Sequence, residues 1–227
     1  MLRPKKHITR QKIKEDKFVT ETLKTAEWIK GHQSGLTGGA IAILLAGVVI
    51  WGYMSARKAA ENEASLLTLQ GGYALNFGDF DQALNLLGTA VERYGNAPSS
   101  RRATLMLGHL FFRMGATDTA RTYYELYMNK YSKRGMLRAA SMAGVAACME
   151  QSGSHTEAAE MYEKASKENG GGQKSAHYLL QAGRAYRMAG QTQQAMTVYE
   201  RLKLEYPNAA EADRAALELA QLVRQGG

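Results

Sequence analysis

Residues 183–207 read GRAYRMAGQTQQAMTVYERLKLEYP, and their spacing decides the fold. Gly183 is followed at fixed intervals by Tyr186, Gly190, Ala195, Tyr199 and Pro207. That order places two short helices back to back: a small residue on the first, a turn at the glycine, then an alanine and a large residue on the second. The same columns recur upstream. Gly-x-x-x-x-Ala appears at Gly78 and Ala83, Gly115 and Ala120, Gly153 and Ala158, and Gly190 and Ala195, with successive alanines 37, 38 and 37 residues apart. Seven residues before the glycines stand Gly71, Gly108, Ala146 and Gly183, and four after the alanines stand Leu87, Tyr124, Tyr162 and Tyr199.

A period of this length, repeated four times, predicts an α-solenoid. In each copy the small residue lets one helix approach the other, the glycine permits the turn, and the large residue fills the space between them. A single hairpin cannot bury its own apolar face, so neighbouring hairpins must stack into one continuous core. The repeats are expected over about 64–98, 101–135, 139–172 and 176–208, with 209–223 (AAEADRAALELAQLV) as a capping helix whose outer side faces water. Only Pro4, Pro98 and Pro207 interrupt the chain, and β-branched residues are sparse after position 51, which agrees with an all-α protein.

These columns resemble the tetratricopeptide repeat, whose signature runs small residue, aromatic, turn glycine, alanine, aromatic, proline. The fourth copy matches it best. Repeat one has Ala74 and repeat three Met149 in place of the first aromatic, and the final proline is missing from the second and third copies. All copies exceed the usual length of roughly 34 residues, with the extra residues in YGNAPSSRR, YSKRGML and ENGGGQKS, between hairpins. The resemblance implies a scaffold that binds other proteins.

The formal net charge of +8 separates by region. Residues 1–34 hold nine Lys or Arg against four Asp or Glu, and residues 57–227 hold twenty against seventeen. The excess therefore sits in the N-terminal tail, and no nucleic-acid partner is implied. Gly35 to Ala56 carries no charged side chain, and LTGGAIAILLAGVVIWGYM (36–54) has the length and apolarity of a membrane span. Its long polar leader and the poor cleavage site Met54-Ser55-Ala56 argue for an uncleaved anchor.

Arg3, Lys5, Lys6, Arg10, Lys12, Lys14, Lys17, Lys24 and Lys30 precede the span, and only Arg57 and Lys58 follow closely. Positively charged flanks stay inside, so the tail (1–34) is expected in the cytoplasm and the repeat domain (57–227) outside, on a bacterial inner membrane. Gly35, Gly38, Gly39, Ala42 and Ala46 either face lipid or form a helix-packing side. The tail reads as a short amphipathic helix with Ile13, Phe18, Leu23, Ala26 and Ile29 on one side. Its charges either fix topology alone or also dock a cytoplasmic partner. Between Tyr53 and Gln70 there is neither Gly nor Pro, so the anchor helix is expected to continue into the first hairpin.

The chain offers little for catalysis. His7, His32, His109, His155 and His177 lack metal-binding spacing, and the lone Cys148 sits in an apolar helical run without a partner histidine. The run 170–175 (GGGQKS) only superficially resembles a phosphate loop, because Gln173 separates glycine from lysine and a helix precedes it. No enzyme activity, cofactor or metal is expected.

Function is instead expected on the first helices of the hairpins, which in such stacks line a groove. By position this places Leu105, His109, Phe112 and Arg113 beside Glu150 and Gln151, continued by His177, Leu180, Arg184, Arg187 and Met188. Arginines would meet carboxylates of a bound segment, and Phe112 or Met188 its apolar side chains; the alternative is simple solvation. Repeat one offers Thr68, Gly72 and Asn76, which do not reproduce a carboxylate clamp.

Tail, anchor and repeats together resemble the YfgM-like group of bacterial inner-membrane proteins. The resemblance implies association with Sec translocon subunits, envelope chaperones or client polypeptides; a homo-oligomer is a further partner the sequence allows. A scaffold for outer-membrane or cell-division assembly would share the same architecture.

Overall fold

The structure is a computed structural model that describes the backbone of residues 10–226 and, apart from a few positions within 26–40, the side chains of 19–224. It divides into two units, Met1–Arg57 and Lys58–Gly227. The first holds α1 (Arg10–Gly31) and the start of α2 (Gln33–Phe77), a helix of 45 residues whose part from Lys58 onward belongs to the second. Thr37–Phe77 contains a stretch long and apolar enough, by length and composition, to cross a membrane. Ile43, Leu44, Val49 and Trp51 are all exposed there, as on a helix whose apolar surface meets no protein among the described residues. On α1, Leu23 and Ile29 are exposed. Arg3, Lys5 and Lys6, and the side chains of Arg10, Lys12, Ile13, Lys14, Lys17, Phe18 and Ala26, lie outside the described residues.

In the second unit the helices pair as hairpins. The end of α2 pairs with α3 (Phe80–Tyr94), and α4 (Pro98–Arg113) with α5 (Thr117–Leu126), which runs on into a π-helical turn at Tyr127–Tyr131. α6 (Met136–Gln151) pairs with α7 (His155–Asn169), α8 (Gln173–Met188) with α9 (Thr192–Glu205), and α10 (Ala210–Gly226) closes the stack on α9 and α8.

The four turn glycines explain the hairpins. Gly78, Gly115, Gly153 and Gly190 have φ of 83°, 79°, 82° and 73°, the left-handed region that ends a helix without strain only when no Cβ is present. After each, the next backbone N–H donates to the carbonyl five residues back: Asp79 to Ala74, Ala116 to Phe111, Ser154 to Met149 and Gln191 to Tyr186, all at 2.9 Å. This bond caps the helix and fixes the direction of the reversal. Asp79 then opens α3 by accepting from the Gln82 N–H at 3.0 Å, and Pro98 occupies the first turn of α4, where no amide is needed.

The columns form the core. Ala83, Ala120, Ala158 and Ala195 are 0% exposed, and Leu87, Tyr124, Tyr162 and Tyr199 are buried beside the small residues of the facing helix. A Cβ added to Gly71 would stand 2.7 Å from Leu87, and one on Gly108 2.6 Å from Tyr124, both inside van der Waals contact. Repeats are also keyed to each other, because a Cβ on Gly144 of α6 would stand 2.5 Å from the ring of Tyr124, which lies on α5.

The longer inter-hairpin segments carry their own ties. Arg138 donates to the Met128 and Ser132 carbonyls at 2.8 Å, and the Ser175 hydroxyl accepts from the Gly171 N–H and donates to the Ser166 carbonyl, both at 3.0 Å. The additional residues are thus bonded into place, and the helix pairing continues through them.

Candidate protein-binding face

The groove residues expected from the sequence separate into three groups. Leu105 and Leu180 are each 4% exposed and belong to core clusters, Leu105 with Tyr124 and Val145, Leu180 with Ala182 and Tyr199. The expectation that they line a surface is corrected: their leucine side chains complete the helix-to-helix packing and have no area left to offer.

A second group is held within the chain. Arg113 donates to the Leu75 carbonyl and lies 4.9 Å over the Phe80 ring, binding repeat two to repeat one. Glu150 accepts from the Tyr162 hydroxyl at 2.8 Å. Arg187 stands 3.5 Å from Glu218 on α10, and His177 Nδ1 3.8 Å from Glu211 Oε1 on the same helix, so the capping helix covers that end of the face. Gln151 accepts from Thr117 at 3.0 Å.

The third group remains available. Arg184 is exposed and bonded only to Gln181, at 3.3 Å, among the described residues. Met188 is 57% exposed, and Phe112 is half-buried against the cluster containing Tyr124 and Tyr127. His109 presents part of its ring to solvent while Nδ1 lies 2.8 Å from the Tyr124 hydroxyl, edge-on at 5.3 Å between centroids.

Desolvation of the ring, and secondarily the charge of Lys174, hold the pKa of His109 below the ordinary imidazole value. The ring nitrogen and the hydroxyl share one hydrogen bond, whose direction follows the imidazole tautomer. His177 is depressed in the same way, by desolvation first and Lys174 second, with Glu211 opposing. Lys174 on α8 therefore acts on histidines of both α4 and α8. Between them, Ala140, Ala143 and Ala147 of α6 are half-buried small residues, a low floor that nothing in an alanine-rich helix singles out beforehand.

A second concavity escaped the sequence reading. A cavity of about 330 Å³ opens between α2 and α4, bordered by Thr68, Leu69, Tyr73, Asn76, Arg102 and Met106, with Gly72 on its wall. Thr68, Gly72 and Asn76 are one helical turn apart, a periodicity visible in the sequence. Arg102 and Met106 reach the same cavity from the next hairpin, which that spacing alone does not show.

Cys148 is buried, and burial pushes its thiol pKa up to about 11. Among the described residues no group of three or more His, Cys, Asp or Glu side chains could hold a metal ion.

Comparison with known proteins agrees with this architecture. Residues 68–132 and 178–209 each match a family described as Tetratricopeptide repeat. No curated protein matches the chain. Among solved structures it is similar to pilF of Pseudomonas aeruginosa, at 20% identity and a TM-score of 0.50 over 68% of this chain, spanning 66% of that one. It is also similar to a putative kinesin light chain of Podosopora anserina with nearly identical TPR-like repeats, at 20% identity and a TM-score of 0.60 over 72% of this chain and 88% of that one. A single-substitution variant of that same repeat protein gives 20% identity and a TM-score of 0.60 over 73% and 88%.

Proposed function

From the premise that this chain is built of tetratricopeptide repeats, a fold that typically serves as a non-catalytic scaffold for protein interaction, we propose that it is a membrane-anchored scaffold on the outer face of a bacterial inner membrane. The observation that carries the binding role is the first-helix face. Phe112, Arg184 and Met188 stay accessible there while neighbouring Arg113, Glu150 and Arg187 are consumed by internal contacts. An exposed arginine beside accessible apolar side chains suits a polypeptide ligand.

Anchoring rests on the charge-free segment of α2, and orientation on the basic residues that precede it. Placed so, the scaffold would receive envelope proteins leaving the Sec translocon, or the chaperones that accept them. The likeness of its tail, anchor and repeats to the YfgM-like group supports this reading.

The test is site-specific photocrosslinking in cells from positions 112 and 184, with protease accessibility in spheroplasts fixing topology. Capture of translocon subunits, chaperones or exported clients is expected, with the repeats digested only from outside. Capture of nothing at either position, or digestion only after membrane disruption, refutes the proposal.

A further inference from the structure

The first helix of the stack carries an apolar stripe that is left uncovered among the described residues. We propose that this stripe joins two copies of the chain, their α2 helices lying side by side and parallel across a two-fold axis. The inference goes beyond the scaffold reading and concerns a different surface from the one that Phe112 and Arg184 mark.

α4, α6 and α8 each pack on the second helix of the hairpin before them, α3, α5 and α7. α2 opens the stack, and its Leu66, Leu69, Tyr73 and Phe77 are 50%, 57%, 58% and 86% exposed. From Ala64 to Gly78 there is no charged side chain. Leu66 and Tyr73 stand seven residues apart with Leu69 between them, which is the spacing of a two-helix seam. The same heptad continues back to Ala59 and Asn62 and forward to Asn76. At these exposures the four large side chains offer on the order of 500 Å² per copy, about 1,000 Å² for a pair, which is where specific interfaces begin.

Charge selects a second copy as the occupant and sets its direction. In parallel paired helices, the residue preceding a leading seam position faces the residue five further along the other helix. Lys58 and Glu63 occupy those two places around the seam residues Ala59 and Asn62. Both are exposed, and neither makes a hydrogen bond or ion pair among the described residues. Two copies therefore form two Lys58–Glu63 pairs, one on each side of the seam, as a self-complementary contact requires. In an antiparallel arrangement these residues lie at opposite ends of the seam and cannot meet. Glu61 does not compete for Lys58 of the second copy, because it turns to α4 and accepts from the Ser99 N–H at 3.1 Å and the Ser99 hydroxyl at 2.6 Å. Asn62 faces its counterpart across the axis, where two amides can bond to each other and hold the register. An anchored α2, as proposed above, also starts both copies in the same direction within one bilayer.

The cavity between α2 and α4 fits this arrangement. Ser65, Leu69, Gly72, Tyr73 and Asn76 border it, on the flank of the seam that faces α4. By the same five-residue offset, Gly72 faces Phe77 of the second copy, just as Lys58 faces Glu63. The most exposed side chain of the stripe thus falls beside a cavity of about 330 Å³, at a position where the wall has no side chain to obstruct it.

The experiment is sedimentation velocity of the full chain in detergent micelles, over a range of concentrations and detergent excess, with the unfolding temperature of each variant recorded. The parent should be dimeric. Leu69→Ser with Tyr73→Ser should be monomeric at an unfolding temperature close to the parent's, because both side chains are exposed. Lys58→Glu alone, or Glu63→Lys alone, should weaken the dimer about tenfold, since two attractive pairs become repulsive. The two reversals together should restore it. Leu66→Cys should form a disulfide between copies when oxidised with copper phenanthroline, and Glu92→Cys, exposed on α3, should not.

A monomer at every concentration overturns the proposal. So does a dimer that survives Leu69→Ser with Tyr73→Ser, which is then joined elsewhere on the chain. Single charge reversals without effect, or a double reversal that fails to restore the dimer, overturn it as well. Photocrosslinking from positions 112 and 184 decides the scaffold reading separately, whichever of these results is found.

Discussion

Two mid-helix glycines should respond in opposite directions to the same substitution. Gly88 lies in α3, and a Cβ built on it meets nothing within 4 Å. Gly144 lies in α6, where the same Cβ would come 2.5 Å from Cζ and 2.6 Å from Cε1 and Cε2 of Tyr124. That ring is 1% exposed, is also closely approached by Gly108, and is tied by its hydroxyl to His109, so it has little room to move. Alanine gains about 0.5–1 kcal/mol over glycine in a helix interior, and Gly88→Ala should keep nearly all of it. At Gly144 the contact is about 1 Å too short, and overpacking a core costs about 1–3 kcal/mol. The net for Gly144→Ala is a destabilisation of about 1 kcal/mol.

For a domain of this size each kcal/mol moves the midpoint by about 2–4 °C. Far-ultraviolet circular dichroism of the full chain in detergent should therefore show Gly88→Ala melting a few degrees above, and Gly144→Ala a few degrees below, the parent. Tyr124→Leu supplies the cycle. Leu87 fills the equivalent column of repeat one, so leucine fits the architecture, and its smaller side chain relieves the clash. In that background Gly144→Ala should become neutral or stabilising. Shifts of the same sign at both glycines, or an unchanged penalty in the Tyr124→Leu background, refute the claim that Tyr124 keys repeat two onto repeat three.

Gly153→Ala should lower the urea midpoint by the equivalent of about 1 kcal/mol, because φ of 82° strains an L side chain even where space is free; an unchanged midpoint would show that the turn relaxes. Stability should also fall on acidification. His109 and His177 have folded pKa values below the unfolded value of about 6.5, so the unfolded chain takes their protons first. Their contribution is complete above that value and is lost as pH drops from it toward the folded values. His109→Gln should flatten part of this loss in urea titrations at successive pH values, and an identical slope would refute the assignment. Cys148, buried and with its thiol pushed up to about 11, should resist a maleimide near neutral pH until the chain is unfolded. Stoichiometric labelling of the folded chain would contradict that.

The repeat columns were legible because each encodes a steric demand within one hairpin. Gly115 must reverse the chain, Ala120 must leave room, and Gly108 must admit Tyr124; any other choice fails locally, so the pattern survives in the sequence. Binding residues obey no such local demand. Arg113 and Arg102 stand on the same helix, yet one is consumed by the Leu75 carbonyl and Phe80 while the other is left beside a cavity. Nothing in their immediate sequence distinguishes them, because the difference lies in residues about 30 to 40 positions away.

The same cause explains Leu105 and Leu180. Helical spacing put them on the groove side, but close stacking of neighbouring helices draws that edge of α4 and α8 into the core. It also explains why the spacing of Thr68, Gly72 and Asn76 does not reveal a cavity: they border one only because Met106 and Arg102 stand opposite them. A stack of near-identical hairpins therefore specifies its core within each copy. Which polar side chains stay accessible is decided at the joints between copies, as Arg113 and Arg187 show.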